Sequence, residues 1–270
     1  MSGGAGQRVG GGGVRVGWIF SLARSGSSVA AYAAAAPWGH AVADEIFGPW
    51  DRTVPPYNYP PDQIRLIDLF WNRGERFTPQ VIDTTTRLLE QMGAPSGGVV
   101  GKHPHTAGDP EQFKRAFPTH GVVFLLRNPL HRLNSLYQRG WLEAIKQNHD
   151  VGTYRFFLGR ALAHPHRVLY DDLVRRPREF FGSIYRAWGW AHTEADLDAA
   201  VAYAKGHYHG SSKNVDPDQS PDERRSEASF MLPPEAVSAY LNDRTVADFM
   251  RSVGWSTDPG DYGPTPDDRA

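Results

Sequence analysis

The stretch V-G-W-I-F-S-L-A-R-S-G-S-S-V-A-A-Y-A-A-A-A, residues 16 to 36, restricts the fold more than any other part of the chain. A short apolar run with glycines before it and a polar loop after it suits a central parallel strand over residues 14–22. The loop then gives way to alanine-rich sequence, which predicts a helix from about Ser27. A glycine with small hydroxyl residues at such a junction lets backbone N–H groups close on an anion, and the helix N-terminus adds partial positive charge. The junction therefore predicts an anion-binding turn.

The same unit recurs. G-V-V-G (98–101), G-V-V-F-L-L (121–126) and H-R-V-L-Y (166–170) read as three further strands, each followed by a polar loop. Residues 78–92 have helical spacing with Pro79 in the first turn, and Asn128 and Pro129 read as N-cap and first residue of another helix. Helical spacing resumes after Asp171 and Asp172. Strands alternating with helices predict an α/β fold, a central mostly parallel sheet flanked by helices. Ligands of such sheets sit at the carboxyl ends of the strands. Residues 37–62, rich in proline and aromatics, read as too broken for a long regular element and as an excursion on the substrate side.

At 270 residues, 40% of them hydrophobic, the chain can bury one full core. The expected organisation is a single domain over 14–257, with a disordered glycine-rich leader at 1–13 and a disordered tail at 258–270. A net charge of -1 argues against broad attraction to nucleic acid or anionic lipid, so any anion site must be local. The lack of cysteine excludes disulfides, thiolate metal ligands and thiol catalysis. No apolar run reaches the roughly 18 residues a membrane-inserted helix needs, so a cytoplasmic protein is expected. Alanine- and arginine-rich, lysine-poor usage points to a high-GC bacterial source.

The first loop does not match the Walker pattern G-x-x-x-x-G-K-[ST]. Placing its second glycine on Gly26 puts Ser21 at the first glycine and Ser27 at the lysine. The cation is instead Arg24, two residues before Gly26. S-L-A-R-S-G-S-S resembles the 5′-phosphosulfate loop of sulfotransferases that use 3′-phosphoadenosine 5′-phosphosulfate (PAPS). In that family a Lys or Arg followed by Ser-Gly and two hydroxyl residues wraps the 5′ end of the donor. V-V-F-L-L-R-N-P-L-H-R-L-N-S-L-Y, residues 122–137, is similar to the family's 3′-phosphate motif, an Arg at a strand end and a Ser eight residues on, here Arg127 and Ser135. The chemistry is sound: a guanidinium is a forked, permanently charged donor, the hydroxyl adds a neutral bond, and a helix N-terminus faces the same anion. V-L-Y-D-D-L-V with R-R-P, residues 168–177, resembles the family's Y-E-D-L segment. There Tyr170 would lie against the adenine or the loop that holds it, with Asp171 and Asp172 capping the next helix and bracing the site.

The resemblance spans about Val14 to Trp190 and implies a P-loop NTPase-like sulfotransferase fold. It implies PAPS as donor, 3′-phosphoadenosine 5′-phosphate (PAP) as product, no metal requirement, and a donor site of Arg24, Ser25, Gly26, Ser27, Ser28, Arg127, Ser135 and Tyr170. G-K-H-P-H, residues 101–105, stands where the family often carries a Lys and a catalytic His or carboxylate. Lys102 and Arg24 would neutralise the bridging and sulfuryl oxygens. His103 is the expected base and His105 its rival, since imidazole titrates near neutrality. Asp44, Glu45 and Asp68 are the carboxylate alternatives.

Three His-x-His pairs, 103/105, 164/166 and 207/209, lack a visible third ligand, so no metal site is expected. Ser211, Ser212 and Lys213, with Arg224 and Arg225 behind them, are candidates for a late loop closing over the 3′-phosphate; an ordinary exposed loop is the alternative. Phe47, Trp50, Tyr57, Tyr59, Phe70 and Trp71 would line an acceptor pocket or pack in the core. The acceptor would be a hydroxyl or amine of a small molecule or carbohydrate. A kinase-like phosphotransferase and a non-catalytic nucleotide-binding protein of the same fold are the other readings.

Overall fold

The structure is a computed structural model that describes residues 13–47, 61–103, 110–138, 147–207 and 232–262. Its centre is a five-stranded sheet in the order β2-β3-β1-β4-β5, every pairing parallel. The strands are β1 (Arg15–Ser21), β2 (Ala41–Asp44), β3 (Gly98–His103), β4 (Gly121–Leu126) and β5 (Arg167–Leu169). The helices are α1 (Ser27–Ala35), α2 (Pro61–Ile67), α3 (Pro79–Gly93), α4 (Pro110–Ala116), α5 (Pro129–Tyr137), α6 (Gln147–Ala163), α7 (Tyr170–Arg175), α8 (Pro177–Trp188), α9 (Glu194–His207), α10 (Pro234–Asn242) and α11 (Arg244–Ser252).

Strand alternation divides the core into two layers. Trp18, Phe20, Val99, Val122 and Phe124 face a layer with Phe113, Tyr154, Phe157, Tyr240 and Met250. Ile19, Val100, Val123 and Leu125 face the alanines of α1 and Phe181, Ile184 and Tyr185 of α8. The poly-alanine run is thereby explained: α1 lies against the sheet with Ala30, Ala31, Ala33 and Ala34 fully buried. Small side chains let the helix approach closely. Trp188 of α8 occupies the space left by Gly17, where an added Cβ would lie 2.3 Å from its indole.

Four strands fall where the sequence placed them. The fifth, β2, corrects the reading of 37–62 as wholly irregular: Ala41–Asp44 pairs with Val99–Lys102 at the sheet edge. It was missed because four residues, two of them alanine, carry little strand signal. Tyr170 is also shifted, from the end of a strand to the first residue of α7. The tail assignment is corrected at its start. Pro259–Tyr262 forms a 3-10 turn, and the Tyr262 hydroxyl accepts from Asn128 at 3.1 Å and donates to the Ser256 carbonyl at 2.7 Å. One buried ring outweighs the disorder bias of its Pro, Gly and Asp neighbours. Among the described residues no helix is long and apolar enough to cross a membrane.

Candidate functional site

The turn after β1, Arg127 after β4 and Lys102 near the end of β3 lie at the carboxyl ends of the strands, around central β1. Ser21 ends β1, and the turn to α1 runs through Arg24 (φ 67) and Gly26 (φ 84), both in the left-handed region. That backbone is free for glycine and costs an arginine about 1 kcal/mol, a strain that recurs at ligand-holding turns. Gly26 is required for a second reason: an added Cβ would lie 2.2 Å from the ring of Tyr170. Ser25 and Ser27 are buried in the turn and Ser28 is exposed on α1. Gly26 is the N-cap of α1, and neither a side-chain cap nor an acidic first turn occupies its N-terminal N–H groups. That leaves backbone donors in place for an anion.

The β4–α5 junction is built differently. Asn128 caps α5, its carboxamide oxygen accepting from the N–H of Leu130 (2.9 Å) and of His131 (3.2 Å). The expectation that the N-terminus of α5 faces the second anion is therefore corrected, because its donors are spent on the cap. The charge comes from side chains. Arg127 donates to the Arg24 carbonyl at 2.7 Å and its guanidinium lies 4.6 Å from the centroid of the Tyr170 ring. Arg24 Nε donates to Ser135 Oγ at 3.1 Å. Two guanidinium groups, a hydroxyl and an aromatic face thus meet between β1 and β4.

Lys102 closes the other side. Its Nζ donates to Ser28 Oγ (2.8 Å) and pairs with Asp44 (2.9 Å) and Glu45 (2.8 Å), while its side chain is only 6% exposed. Burial alone would favour the neutral amine, but the two carboxylates outweigh it and hold the lysine above its ordinary value. Glu45 is pushed up, by burial first and by the Asp44 charge as well, with Lys102 pulling the other way. Glu45 also has a left-handed backbone (φ 54) just past the end of β2.

His103 goes elsewhere. As the residue after Lys102 on a strand it projects to the opposite face, 4% exposed, with its ring 5.3 Å from Phe47 and 6.5 Å from Phe70. Phe47 and Phe70 are core residues. Asp68 pairs with Arg73 at 2.9 Å. Asp171 and Asp172 do not cap α7, whose N-cap is Leu169 without a side-chain bond. They brace it instead, Asp171 accepting from the Trp255 indole (3.1 Å) and Asp172 pairing with Arg176 (2.6 Å). His105, Trp50, Tyr57, Tyr59, Ser211, Ser212, Lys213, Arg224 and Arg225 lie outside the described residues. Among the described residues no three His, Cys, Asp or Glu side chains converge as a metal-ligand set.

Sequence reasoning overlooked Arg132. It is buried on α5 and bonds the Ala23 carbonyl and the Tyr240 hydroxyl, both at 3.4 Å, fixing the start of the first loop. The available signal was an arginine among the leucines of the buried face of α5.

No protein-family model matches the chain, and no curated protein sequence does. Solved structures do. The sulfotransferase domain from the Synechococcus PCC 7002 olefin synthase has a TM-score of 0.54 at 18% identity, over 89% of this chain and 94% of that one. The sulfotransferase domain from the curacin biosynthetic pathway has a TM-score of 0.53 at 13% identity, over 91% and 99%. Sulfotransferase STF9 from Mycobacterium avium has a TM-score of 0.51 at 14% identity, over 92% and 78%. The five parallel strands flanked by helices, with the Arg24–Ser28 turn after β1 and Arg127 after β4, are thus arranged in the sulfotransferase fold.

Proposed function

We propose that the protein is a PAPS-dependent sulfotransferase that moves the sulfuryl group to a hydroxyl or amine of a small-molecule or carbohydrate acceptor. The observation that carries this reading is the convergence of two arginine- and hydroxyl-bearing segments after adjacent strands, tied by Arg24–Ser135 and Arg127–Arg24. A ligand with phosphate groups at two separate places fits that pair better than a triphosphate. The Walker lysine position holds Ser27 instead. The tight Gly26–Tyr170 contact supports the same assignment, since it fixes the turn that would wrap the donor's 5′ end.

In this reading Ser25 to Ser28 and the N-terminus of α1 hold the 5′ end, and Arg127 and Ser135 hold the 3′-phosphate. Tyr170 buttresses both. Arg24 and Lys102 balance negative charge on the sulfuryl group and the departing phosphate. The acceptor oxygen or nitrogen forms its bond to sulfur as the S–O bond to the 5′-phosphate breaks, PAP leaves, and the acceptor proton passes to a base. Glu45 suits that last role better than His103: it is on the Lys102 side of the sheet, 20% exposed, and pushed toward neutrality by burial. His103 faces aromatic rings on the other side. The proposal carries with it a bacterial, cytoplasmic setting and no metal.

Calorimetric titration with PAP, 5′-AMP and Mg-ATP tests it. Binding of PAP at micromolar or tighter affinity, with 5′-AMP much weaker, is the expected result. Preference for Mg-ATP would favour the kinase-like reading, and no nucleotide binding would end both.

A further inference from the structure

One lysine serves two carboxylates at the carboxyl edge of the sheet. Lys102 Nζ lies 2.9 Å from Asp44, 2.8 Å from Glu45 and 2.8 Å from Ser28 Oγ. An ammonium has three N–H donors, so these partners use all of them. The register explains the geometry. Asp44 is the direct cross-strand partner of Lys102, so its side chain shares the face of α1, whereas Glu45 reaches the same nitrogen only because its backbone turns left-handed after β2. The Glu45 N–H donates to the Lys102 carbonyl at 3.0 Å, which pins that turn. Asp44 is the more open of the two, its side chain 35% exposed against 20% for Glu45.

We propose that Asp44 is a positioning residue: from its cross-strand place opposite Lys102 it holds the Lys102 ammonium beside Ser28, so that Asp44 and Glu45 share a single cation. The inference rests on the sulfotransferase reading for its role in catalysis, but its electrostatic content does not. Two carboxylates sharing one cation leave one negative charge unbalanced, and the more buried carboxylate bears it less easily. Among the described residues, the groups facing the pair are Lys102 from β3, Ser28 and Tyr32 from α1, and, through Tyr32, Tyr203 from α9. Lys102 is the one cation among them, and burial holds the Tyr32 phenol above its ordinary value. With Asp44 neutralised, Lys102 would lean on Glu45 alone, and Glu45 would release its proton more easily. It would then be a weaker base, tied to the cation that should serve the donor.

The test is a carboxyl ¹³C NMR titration of Glu45 in the ligand-free full chain, for the unmodified protein, Asp44→Asn and Asp44→Glu. Asp44→Asn should lower the Glu45 midpoint by roughly half a unit to one unit. Asp44→Glu, which keeps the charge, should restore it most of the way. A Glu45 midpoint that does not move in Asp44→Asn overturns the proposal. So does a midpoint that moves equally in both variants, since that would report disturbed packing and not charge. In turnover, the acidic limb of the kcat/KM profile should shift down with the NMR midpoint while PAP affinity changes less than threefold. An acidic limb that stays put while the NMR midpoint moves would overturn the catalytic part. If PAP does not bind the unmodified protein, the sulfotransferase reading fails separately, and the NMR titration still decides whether Asp44 governs Glu45.

Discussion

Arg24 Nε donates to Ser135 Oγ at 3.1 Å across 111 residues of chain, joining the loop after β1 to the helix after β4. Arg127 completes the link through the Arg24 carbonyl. The two motifs, separate in sequence, are therefore joined into one charged surface.

Arg127→Ala should weaken PAP far more than 5′-AMP. A charge-assisted hydrogen bond is worth about 1.5–3 kcal/mol, roughly ten- to hundredfold in affinity. Calorimetry with both nucleotides checks it, and equal losses would remove the 3′-phosphate assignment.

Gly26→Ala should cost nucleotide binding and stability together. The left-handed backbone and the 2.2 Å approach to Tyr170 leave no room for a methyl group. A drop of about 1–3 kcal/mol in unfolding free energy is expected, with PAP binding lost. Denaturant midpoints and calorimetry on the same preparation would show it. Tyr170→Ala should restore part of the stability of Gly26→Ala by removing the clash.

Glu45→Gln should lower kcat by about 10²- to 10⁴-fold while PAP still binds, the usual contribution of a positioned base. His103→Gln should lower kcat less and cost more stability, since its buried ring packs against Phe47 and Phe70. A larger kcat loss in His103→Gln than in Glu45→Gln would reverse the assignment of the base.

Acid should destabilise the fold through two histidines outside the site. His120 accepts the Trp18 indole N–H at 3.1 Å, and burial first, then Lys114, lowers its pKa to about 4. His40, 2.9 Å from Arg15, is lowered to about 4 by burial first and by the Arg15 charge. Their folded values lie below the ordinary 6.5, so the folded protein holds them neutral. The stability they contribute is complete above about pH 6.5 and is lost as pH falls from there through 4. Urea midpoints between pH 7 and 4.5 should fall. They should fall less in His120→Gln, which offers the indole an amide oxygen but cannot take up a proton.

Much of the architecture was determined by sequence alone, because local rules acted on it. The runs at β1, β3 and β4 are short, apolar and bounded by glycine or polar loops, and each became a buried parallel strand. Thr78 and Asn128 cap the helices that open at Pro79 and Pro129, a purely local hydrogen-bond chemistry. The turn at Gly26 and the arginine at the end of β4 were legible for the same reason: a few contiguous residues specify each.

What tertiary structure alone decided is which side chains meet. Strand β2 exists because the edge of β3 offers a ladder to Ala41–Asp44, whose own sequence hardly calls for one. That pairing brings Asp44 opposite Lys102 and so builds the ion cluster beside Ser28. Alternation along β3 then sends Lys102 to the α1 side and His103 to the aromatic side, which splits a pair the sequence presents as adjacent. Tyr262 found Asn128 across 134 residues, and Arg24 found Ser135 across 111. Such contacts depend on how layers stack and on which strand lies beside which, and no local propensity encodes that; they became visible only once the sheet was assembled.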